Sequence, residues 1–310
     1  MKKIKNNTGF MQKLSVDLKR NWYLYLMILP VVLYYAIFHY KPMYGALMAF
    51  QDFVPRKGIS GSEWVGLKHF ISLFKNPYFF KLLRNTLTIS VSNLIFGFPA
   101  PILLALLLNE LKIKRFGKVV QTLCYLPHFI SLVVICSMVR QFCATSGIIN
   151  DLLAFLHLGR VDILARPELF TAVHVLSGIW ANVGFDSIVY LSALMAVDQE
   201  LYDAARVDGA GRFRQVMNVT IPCIIPTVVI MLILRIGQLM SVGYEKIILL
   251  YNPLTYETAD VLSSFVYRRG LIEGSYSYSA AVGLFNSVIN CTLVILANKI
   301  SQKVSDTSLW

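Results

Sequence analysis

Polar side chains recur at helical spacing within the apolar stretch "SGIWANVGFDSIVYLSALMAV", residues 177–197. Asn182, Asp186 and Tyr190 are four residues apart, so a helix places them on one face, while Trp180 lies elsewhere around that helix. Aromatic rings that stack on sugar C–H faces, combined with planar polar groups that bond hydroxyls, are typical of sugar sites. This stretch therefore carries the strongest candidates for contact with a polar solute.

Other polar residues interrupt apolar stretches further along the chain. Arg235 and Gln238 are three residues apart, and Asn286 and Asn290 are four apart. Ionisable groups within a membrane are costly, so Arg235 and Asp186 either line a solute path or form a buried structural pair. For the two asparagines we expect hydrogen bonds to neighbouring helices.

The sequence lacks the usual catalytic motifs. It contains no G-x-x-x-x-G-K-[ST] phosphate loop, so this chain is not expected to bind ATP, and no cofactor or metal is predicted for it. "GISG" at 58–61 has the form of an intramembrane protease motif, but no histidine can be placed beside it, and a Gly/Ser turn is the better interpretation. The five cysteines lack C-x-x-C or zinc spacing and are expected to be apolar packing residues.

The elements that must position the polar residues are membrane helices. Only 15% of the 310 residues are charged, against about 25% in soluble proteins, and 56% are hydrophobic. A helix needs about 20 residues to cross the hydrocarbon layer, and an open sheet edge cannot sit in lipid. The sequence predicts an all-α integral membrane protein with six transmembrane helices, over 22–41, 86–109, 117–142, 170–195, 220–242 and 279–298.

Basic residues predict the orientation of these spans. The net charge of +12 is concentrated beside apolar runs, which indicates phospholipid contact rather than nucleic acid. The densest clusters near span ends, "KR" at 19–20 and "KIKR" at 112–115, lie on the same side. That side is predicted to be cytoplasmic, together with the N-terminal segment 1–21 and the tail 299–310.

Between these segments, residues 22–298 are predicted to form a single membrane domain. Two stretches on its predicted outer side have helical apolar spacing, "GLKHFISLFKNPYFFKLL" at 66–83 and "GIINDLLAFLHLG" at 147–159. We expect them to form amphipathic helices at the membrane surface.

The longest polar interruption, "VDQELYDAARVDGAGRFRQVMNVTIPCIIPT" at 197–227, contains the predicted cytoplasmic loop 196–219. Asp198 is suited to cap a helix over "QELYDAARV", and Gly209 is suited to end it in a left-handed turn. A second short helix, "RFRQVMNV", leads into the fifth span at Pro222. The loop is therefore predicted to be a helix–turn–helix.

Two small residues, Ala204 and Ala205, lie at the centre of the first helix and would let a partner surface approach closely. Leu201 and Tyr202 flank them as possible anchors in a groove. Complementary charge at the rim of such a contact would come from Asp203, Arg206 and Asp208. An ordinary solvated loop helix is the alternative interpretation.

The spacing of this loop resembles a family motif. The loop resembles the E-A-A-x3-G-x9-I-x-L-P motif of permease subunits of binding-protein-dependent ABC importers. Its matching residues are Asp203-Ala204-Ala205, then Gly209 after three residues, Val219 after nine more, and Ile221-Pro222 after one more. The departures are conservative: Asp203 stands for Glu, Val219 for Ile and Ile221 for Leu. In that family the loop is a coupling helix that docks into the ATPase subunit.

Further stretches resemble the carbohydrate-uptake members of that family, of the oligosaccharide and polysaccharide type. They are "LPVVLYYAIFHYKPMYGALMAFQDF", "GSEWVGLKHF", "NTLTIS", "QTLCYLPHFIS", "GIIND" and "YSYSAAVGLFNSVIN". The resemblance implies a permease, not itself an enzyme, that moves oligosaccharides across the cell membrane. It also implies a second permease subunit in a heterodimer or a homodimer, with the heterodimer favoured. Two ATPase subunits that hold ATP and Mg and an extracellular sugar-binding lipoprotein would complete the assembly.

Three other functions remain open from the sequence. An intramembrane hydrolase would need a nucleophile and a base facing each other within spans, and the sequence offers no such pair. A membrane scaffold could use the same loop to bind a soluble partner, and a carrier of the same architecture could import another polar solute.

Overall fold

The computed structural model describes residues 17–111, 113–304 and 308–309. Most of the predicted N-terminal segment, part of the C-terminal tail and Lys112 of the basic cluster at 112–115 lie outside the described residues.

The described chain is a succession of helices with one short β-hairpin. In order, they are α1 (Trp22–Phe50), β1 (Gln51–Asp52), β2 (Glu63–Trp64), α2 (Lys68–Lys75), α3 (Pro77–Asn109), α4 (Lys114–Tyr125), α5 (Leu132–Cys143), α6 (Ile148–Phe155), α7 (Pro167–Met195), α8 (Gln199–Val207), α9 (Arg212–Ile236), α10 (Tyr244–Leu250), α11 (Leu262–Tyr267) and α12 (Tyr276–Lys303). Short single turns of helix lie between some of them.

Six helical segments of the described chain are long and apolar enough to cross a membrane, which confirms the predicted fold class. They are α1, α3, the pair α5–α6 over Leu132–Phe155, α7, α9 and α12. The helix α8 marks one face of the bundle, called here the α8 face. The loops that carry β1, α2, α10 and α11 lie at the other end, called the opposite face.

The limits of the second span differ from the prediction. α3 begins at Pro77 because the Asn76 side chain accepts a hydrogen bond from the Tyr78 amide at 3.0 Å and proline suits the first helical turn. The amphipathic helix predicted over 66–83 is therefore two helices, α2 and the start of α3. The second predicted amphipathic helix, over 147–159, is present as α6.

The third predicted span, 117–142, is not one continuous helix. α4 ends at Tyr125, a 3-10 turn over Leu126–Phe129 contains Pro127, and Ser131 is extended and caps α5. The proline cannot donate a helical hydrogen bond, and the serine cap starts a new helix. Two separate helices, α4 and α5, therefore replace one.

The fifth predicted span, 220–242, is displaced toward its N-terminus. α9 begins at Arg212 and ends at Ile236, and turns follow it. At Gly237 a Cβ atom would lie 2.2 Å from Cγ2 of Val294, so this glycine permits close packing of the α9 end on α12. Gln238 consequently lies in a turn and not in the span.

Three clusters of buried apolar side chains hold the bundle together. The first includes Ile89 of α3, Ile135 of α5 and Ile247 of α10. The second joins α2, α3, α11 and α12, and the third joins α3, α7 and α9. All five cysteines are free thiols; two are buried in the first cluster, whereas Cys223 and Cys291 are exposed.

A buried ion pair stabilises the opposite face. The Asp260 carboxylate is fully buried and accepts hydrogen bonds from Tyr78 Oη at 2.5 Å, Ser264 Oγ at 2.7 Å and Arg268 Nη2 at 2.6 Å. Asn85 Nδ2 donates to the Asp260 backbone carbonyl at 2.9 Å. Because every oxygen of this buried carboxylate has partners, the network joins α3 to the loop before α11.

The first span stands apart from these clusters. No residue from 22 to 48 is buried, and Ala49 is the first buried residue of α1. α1 joins the bundle through its last turns, which pack against α12.

Candidate functional site

The polar residues of α7 lie on one helix face, as their spacing predicts. Asp186 is exposed to a cavity inside the helix bundle. Tyr190, in contrast, is only 2% exposed and packs with Ala105 and Leu194. The Asn182 side chain donates to the Gly178 carbonyl at 3.1 Å. The face thus changes along α7 from polar and accessible to buried.

Three adjoining cavities, called here the polar cavities, surround this face. The largest, of about 280 Å³, is lined by Asn182, Asp186, Arg235 and Asn93. The second, of about 270 Å³, is lined by Asp186, Arg235, Tyr190 and Gln238 among others. The third, of about 100 Å³, is lined by Asn93, Arg235 and Gln238. The side chains of α3, α7 and the α9 end therefore converge on one polar region.

Asp186 and Arg235 do not form an ion pair with each other, although they line the same two cavities. Both residues are exposed. The buried structural pair that the sequence left open is therefore not formed. The carboxylate and the guanidinium are each available to water or a solute.

Trp180 lies apart from the polar cavities, as its position around the helix predicts. Its ring meets the edge of Phe142 with centroids 6.2 Å apart. Both rings line a separate, largely apolar cavity of about 490 Å³ between α5, α6 and α7. The structure therefore does not bring Trp180 together with Asp186.

Two residues near the polar cavities were not identified from the sequence. His128 Nδ1 lies 3.1 Å from Asn182 Oδ1, and its ring stacks on Phe185 with centroids 3.9 Å apart. Asn93 begins a π-helical turn, Asn93–Gly97, within α3. A Cβ atom at Gly97 would lie 2.2 Å from Asn93 Oδ1, so this glycine leaves room for the amide. The asparagine within an apolar run was a signal available in the sequence. The position of His128 beside Asn182, in contrast, depends on the break in the helix before α5, which the sequence did not predict.

A half-buried lysine lies close to the polar cavities. Lys246 Nζ donates to the His174 carbonyl at 2.7 Å, and it would lie 3.1 Å from a Cβ atom at Gly178. Burial lowers the pKa of Lys246 from 10.5 to about 8. No carboxylate pairs with this ammonium group in the described chain.

The asparagines of α12 differ from each other. Asn290 accepts a hydrogen bond from the Met240 amide at 3.0 Å and donates to Ser241 Oγ at 2.9 Å, which is the expected bridge to a neighbouring segment. The side-chain oxygen of Asn286 is buried and has no partner in the described chain.

The local structure of α8 agrees with its sequence signals. The Asp198 side chain accepts from the Glu200 amide at 3.0 Å, and Gly209 has φ +74°. The Ala210 amide bonds to the Ala205 carbonyl at 2.9 Å, which closes the helix end. An exposed ion pair, Arg206 Nη1 to Asp203 Oδ1 at 2.7 Å, lies on its surface.

The two sides of α8 have different surroundings. Tyr202 packs toward the third apolar cluster and its hydroxyl lies 3.0 Å from Thr220 Oγ1, while Ala205 is half-buried. Leu201, Ala204 and Val207 are exposed, Val207 to 88%. The outward side therefore carries apolar residues without a partner in the described chain, whereas the inward side packs on the start of α9.

Comparison with known proteins identifies the class. The sequence pattern of the family described as binding-protein-dependent transport system inner membrane component matches residues 79–306. The chain belongs to this family, and its six apolar helices make it a multi-pass membrane protein.

Individual relatives are similar over nearly the whole chain. The polygalacturonan/rhamnogalacturonan transport system permease protein YteP of Bacillus subtilis is 45% identical, covering 96% of this chain and 94% of the relative. Protein LplB of the same organism is 43% identical, covering 94% and 92%. A solved bacterial ABC transporter, involved in the import of the acidic polysaccharide alginate, contains a chain with 45% identity and a TM-score of 0.87, covering 94% of this chain and 99% of that chain.

A second solved structure shows a similar chain in an assembly. It is a bacterial alginate ABC transporter in complex with an alginate pentasaccharide-bound periplasmic protein. Its matching chain has 44% identity and a TM-score of 0.87, covering 94% of this chain and 98% of that chain.

Proposed function

We propose that this chain is the permease subunit of an ABC importer that moves oligosaccharides across the cell membrane. The observation that carries the proposal is the group of polar cavities around Asp186 and Arg235, within a bundle of apolar helices. Unpaired ionisable groups in such a position are expensive unless they serve a hydrated solute. The names of the similar permeases favour a sugar over another polar solute.

The substrates we favour carry carboxylates. Within the described residues neither Arg235 nor Lys246 forms an ion pair with a carboxylate, and Asp186 is the single acidic residue that lines the polar cavities. Arg235 lines the cavities and Lys246 lies behind the wall that His174 and Gly178 form, so the cations around this region outnumber the one carboxylate and attract a negatively charged sugar. Polygalacturonan and alginate, the polymers named for the similar transporters, are both acidic.

In this proposal ATP is hydrolysed in partner subunits, with this chain holding neither ATP nor Mg. The outward side of α8, with Leu201, Ala204 and Val207, docks into an ATPase subunit. Asp203, Arg206 and Asp208 supply charge at the rim, and Gly209 forms the turn that lets α9 follow. The α8 face and both termini are then cytoplasmic, and a second permease subunit and an extracellular binding protein complete the assembly.

Reconstitution tests this proposal. The permease pair and its ATPase are placed in liposomes, and uptake of trigalacturonate is measured with the loaded binding protein outside. ATP-dependent accumulation is the expected result. A membrane scaffold, the rival function, would bind the ATPase but show neither uptake nor sugar-stimulated hydrolysis.

A further inference from the structure

A cavity on the opposite face shares no lining residue with the polar cavities. Its volume is about 440 Å³, within the range of roughly 300–1,000 Å³ typical of ligand pockets. It lies between the first residue of α10, the helix α11 with the turn that follows, and the first turns of α12. Tyr244 and Tyr276 at its rim are 36% and 37% exposed, so the cavity can be reached from outside the bundle.

Two residues that line this cavity each carry a buried polar atom without a partner in the described chain. Ser279 is 6% exposed, and its Oγ has no hydrogen bond. The buried Oδ1 of Asn286 also has none, and both residues line the cavity. They are seven residues apart on α12, which places them two turns apart on one helix face. Since buried polar groups are nearly always bonded, these atoms require a partner that the described chain does not supply.

Aromatic rings form another wall of the cavity. The rings of Tyr244 and Tyr267 are stacked, with centroids 5.0 Å apart and planes at 20°, and Tyr276 adds a third ring. Flat rings offer faces to the C–H groups of a sugar, while the nearby hydroxyl and amide oxygen can bond its hydroxyls. A lipid tail would fill the space but would leave both polar atoms without a partner.

We propose that this cavity binds one sugar ring of the transported oligosaccharide on the opposite face, before the sugar reaches the polar cavities. The sugar stacks against the Tyr244–Tyr267 wall, Ser279 Oγ exchanges a hydrogen bond with one hydroxyl, and Asn286 Oδ1 accepts from another. The proposal rests on the oligosaccharide-import function and adds a receiving site to it.

The test uses the complete transporter in liposomes, with trigalacturonate as the probe and saturating loaded binding protein. Ser279→Ala removes a hydroxyl that has no partner in the described chain, so the thermal midpoint of the complex should stay unchanged or rise. Uptake should fall about fivefold, the size expected for one neutral hydrogen bond. Tyr267→Ala removes an aromatic contact worth about 1.5 kcal/mol at most and should lower uptake up to roughly tenfold, while Tyr267→Phe retains the ring and the rate.

Ser287→Ala is the matched control, because Ser287 is exposed on the same helix and bonds only to the Gly283 carbonyl. A lower thermal midpoint for Ser279→Ala would show that a subunit of the assembly already bonds the hydroxyl, which overturns the proposal. Unchanged uptake in Ser279→Ala and Tyr267→Ala overturns it too, as expected for a lipid occupant. If the wild-type complex takes up no oligosaccharide, the import function itself fails, which is a separate result.

Discussion

The two sides of α8 predict two separable defects. Val207 is 88% exposed on the outward side, so nearly all of its side chain is available for burial against an ATPase subunit. Val207→Ala removes two methyl groups, worth about 0.8 kcal/mol each when buried, or about 1.6 kcal/mol together. That loss weakens ATPase binding roughly tenfold. The permease itself should keep its stability, because the side chain packs on nothing within the described chain.

Tyr202→Phe is the matched change on the inward side. It removes the hydroxyl that lies 3.0 Å from Thr220 Oγ1, a neutral hydrogen bond worth about 1 kcal/mol, and leaves the outward surface intact. We expect normal ATPase affinity but fewer sugars transported per ATP hydrolysed.

Three measurements separate the two defects. Surface plasmon resonance on the permease in nanodiscs gives the affinity for the ATPase, and thermal midpoints without the ATPase give the stability of the permease. Liposomes give the ratio of sugar uptake to ATP hydrolysis. The assignment of the outward side is refuted if Val207→Ala binds the ATPase as wild type does. It is also refuted if Tyr202→Phe weakens binding as much as Val207→Ala.

Three other substitutions test the charges of the bundle. Arg235→Gln should reduce uptake of trigalacturonate but spare its methyl ester, and equal loss for both probes would contradict a preference for carboxylates. Asp260→Asn leaves Arg268 without its buried partner and should lower the free energy of unfolding by about 3–5 kcal/mol. Denaturant titration in detergent measures this loss. The double variant Asp260→Asn/Arg268→Met should recover part of it. Burial lowers the pKa of Lys246 to about 8, so the unfolded chain binds more protons between pH 8 and 10.5, and stability should rise across that range by up to about 3 kcal/mol. Lys246→Met should lack this rise in thermal-shift measurements; identical pH profiles for both proteins would show that the lysine is not buried.

Local signals in the sequence predicted local structure well. The limits of α8 follow from Asp198 and Gly209, because a cap and a left-handed turn act within a few residues. The six spans follow from the length and composition of the apolar runs.

Features that depend on distant contacts could not be predicted. Tyr78 and Asp260 are 182 positions apart, and nothing near either residue indicates their hydrogen bond. The same holds for the cavity that Asn93 and Asp186 both line. The spacing within one helix says which face a residue occupies but not which helix lies opposite that face. The break before α5 had a signal in Pro127, but membrane helices often tolerate proline, so the apolar run concealed it.

The third apolar cluster gives α8 a physical connection to the polar cavities. Tyr202 of α8 and Tyr190 of α7 both belong to it, and Tyr190 also lines a cavity beside Asp186. Packed side chains have little free space, so a displacement of α8 cannot be absorbed by compression and must move its neighbours. In the proposed importer, an ATPase that shifts α8 therefore also shifts the start of α9 and the C-terminal part of α7. Arg235 and Asp186 lie on those same two helices, so their separation changes when the helices move relative to each other.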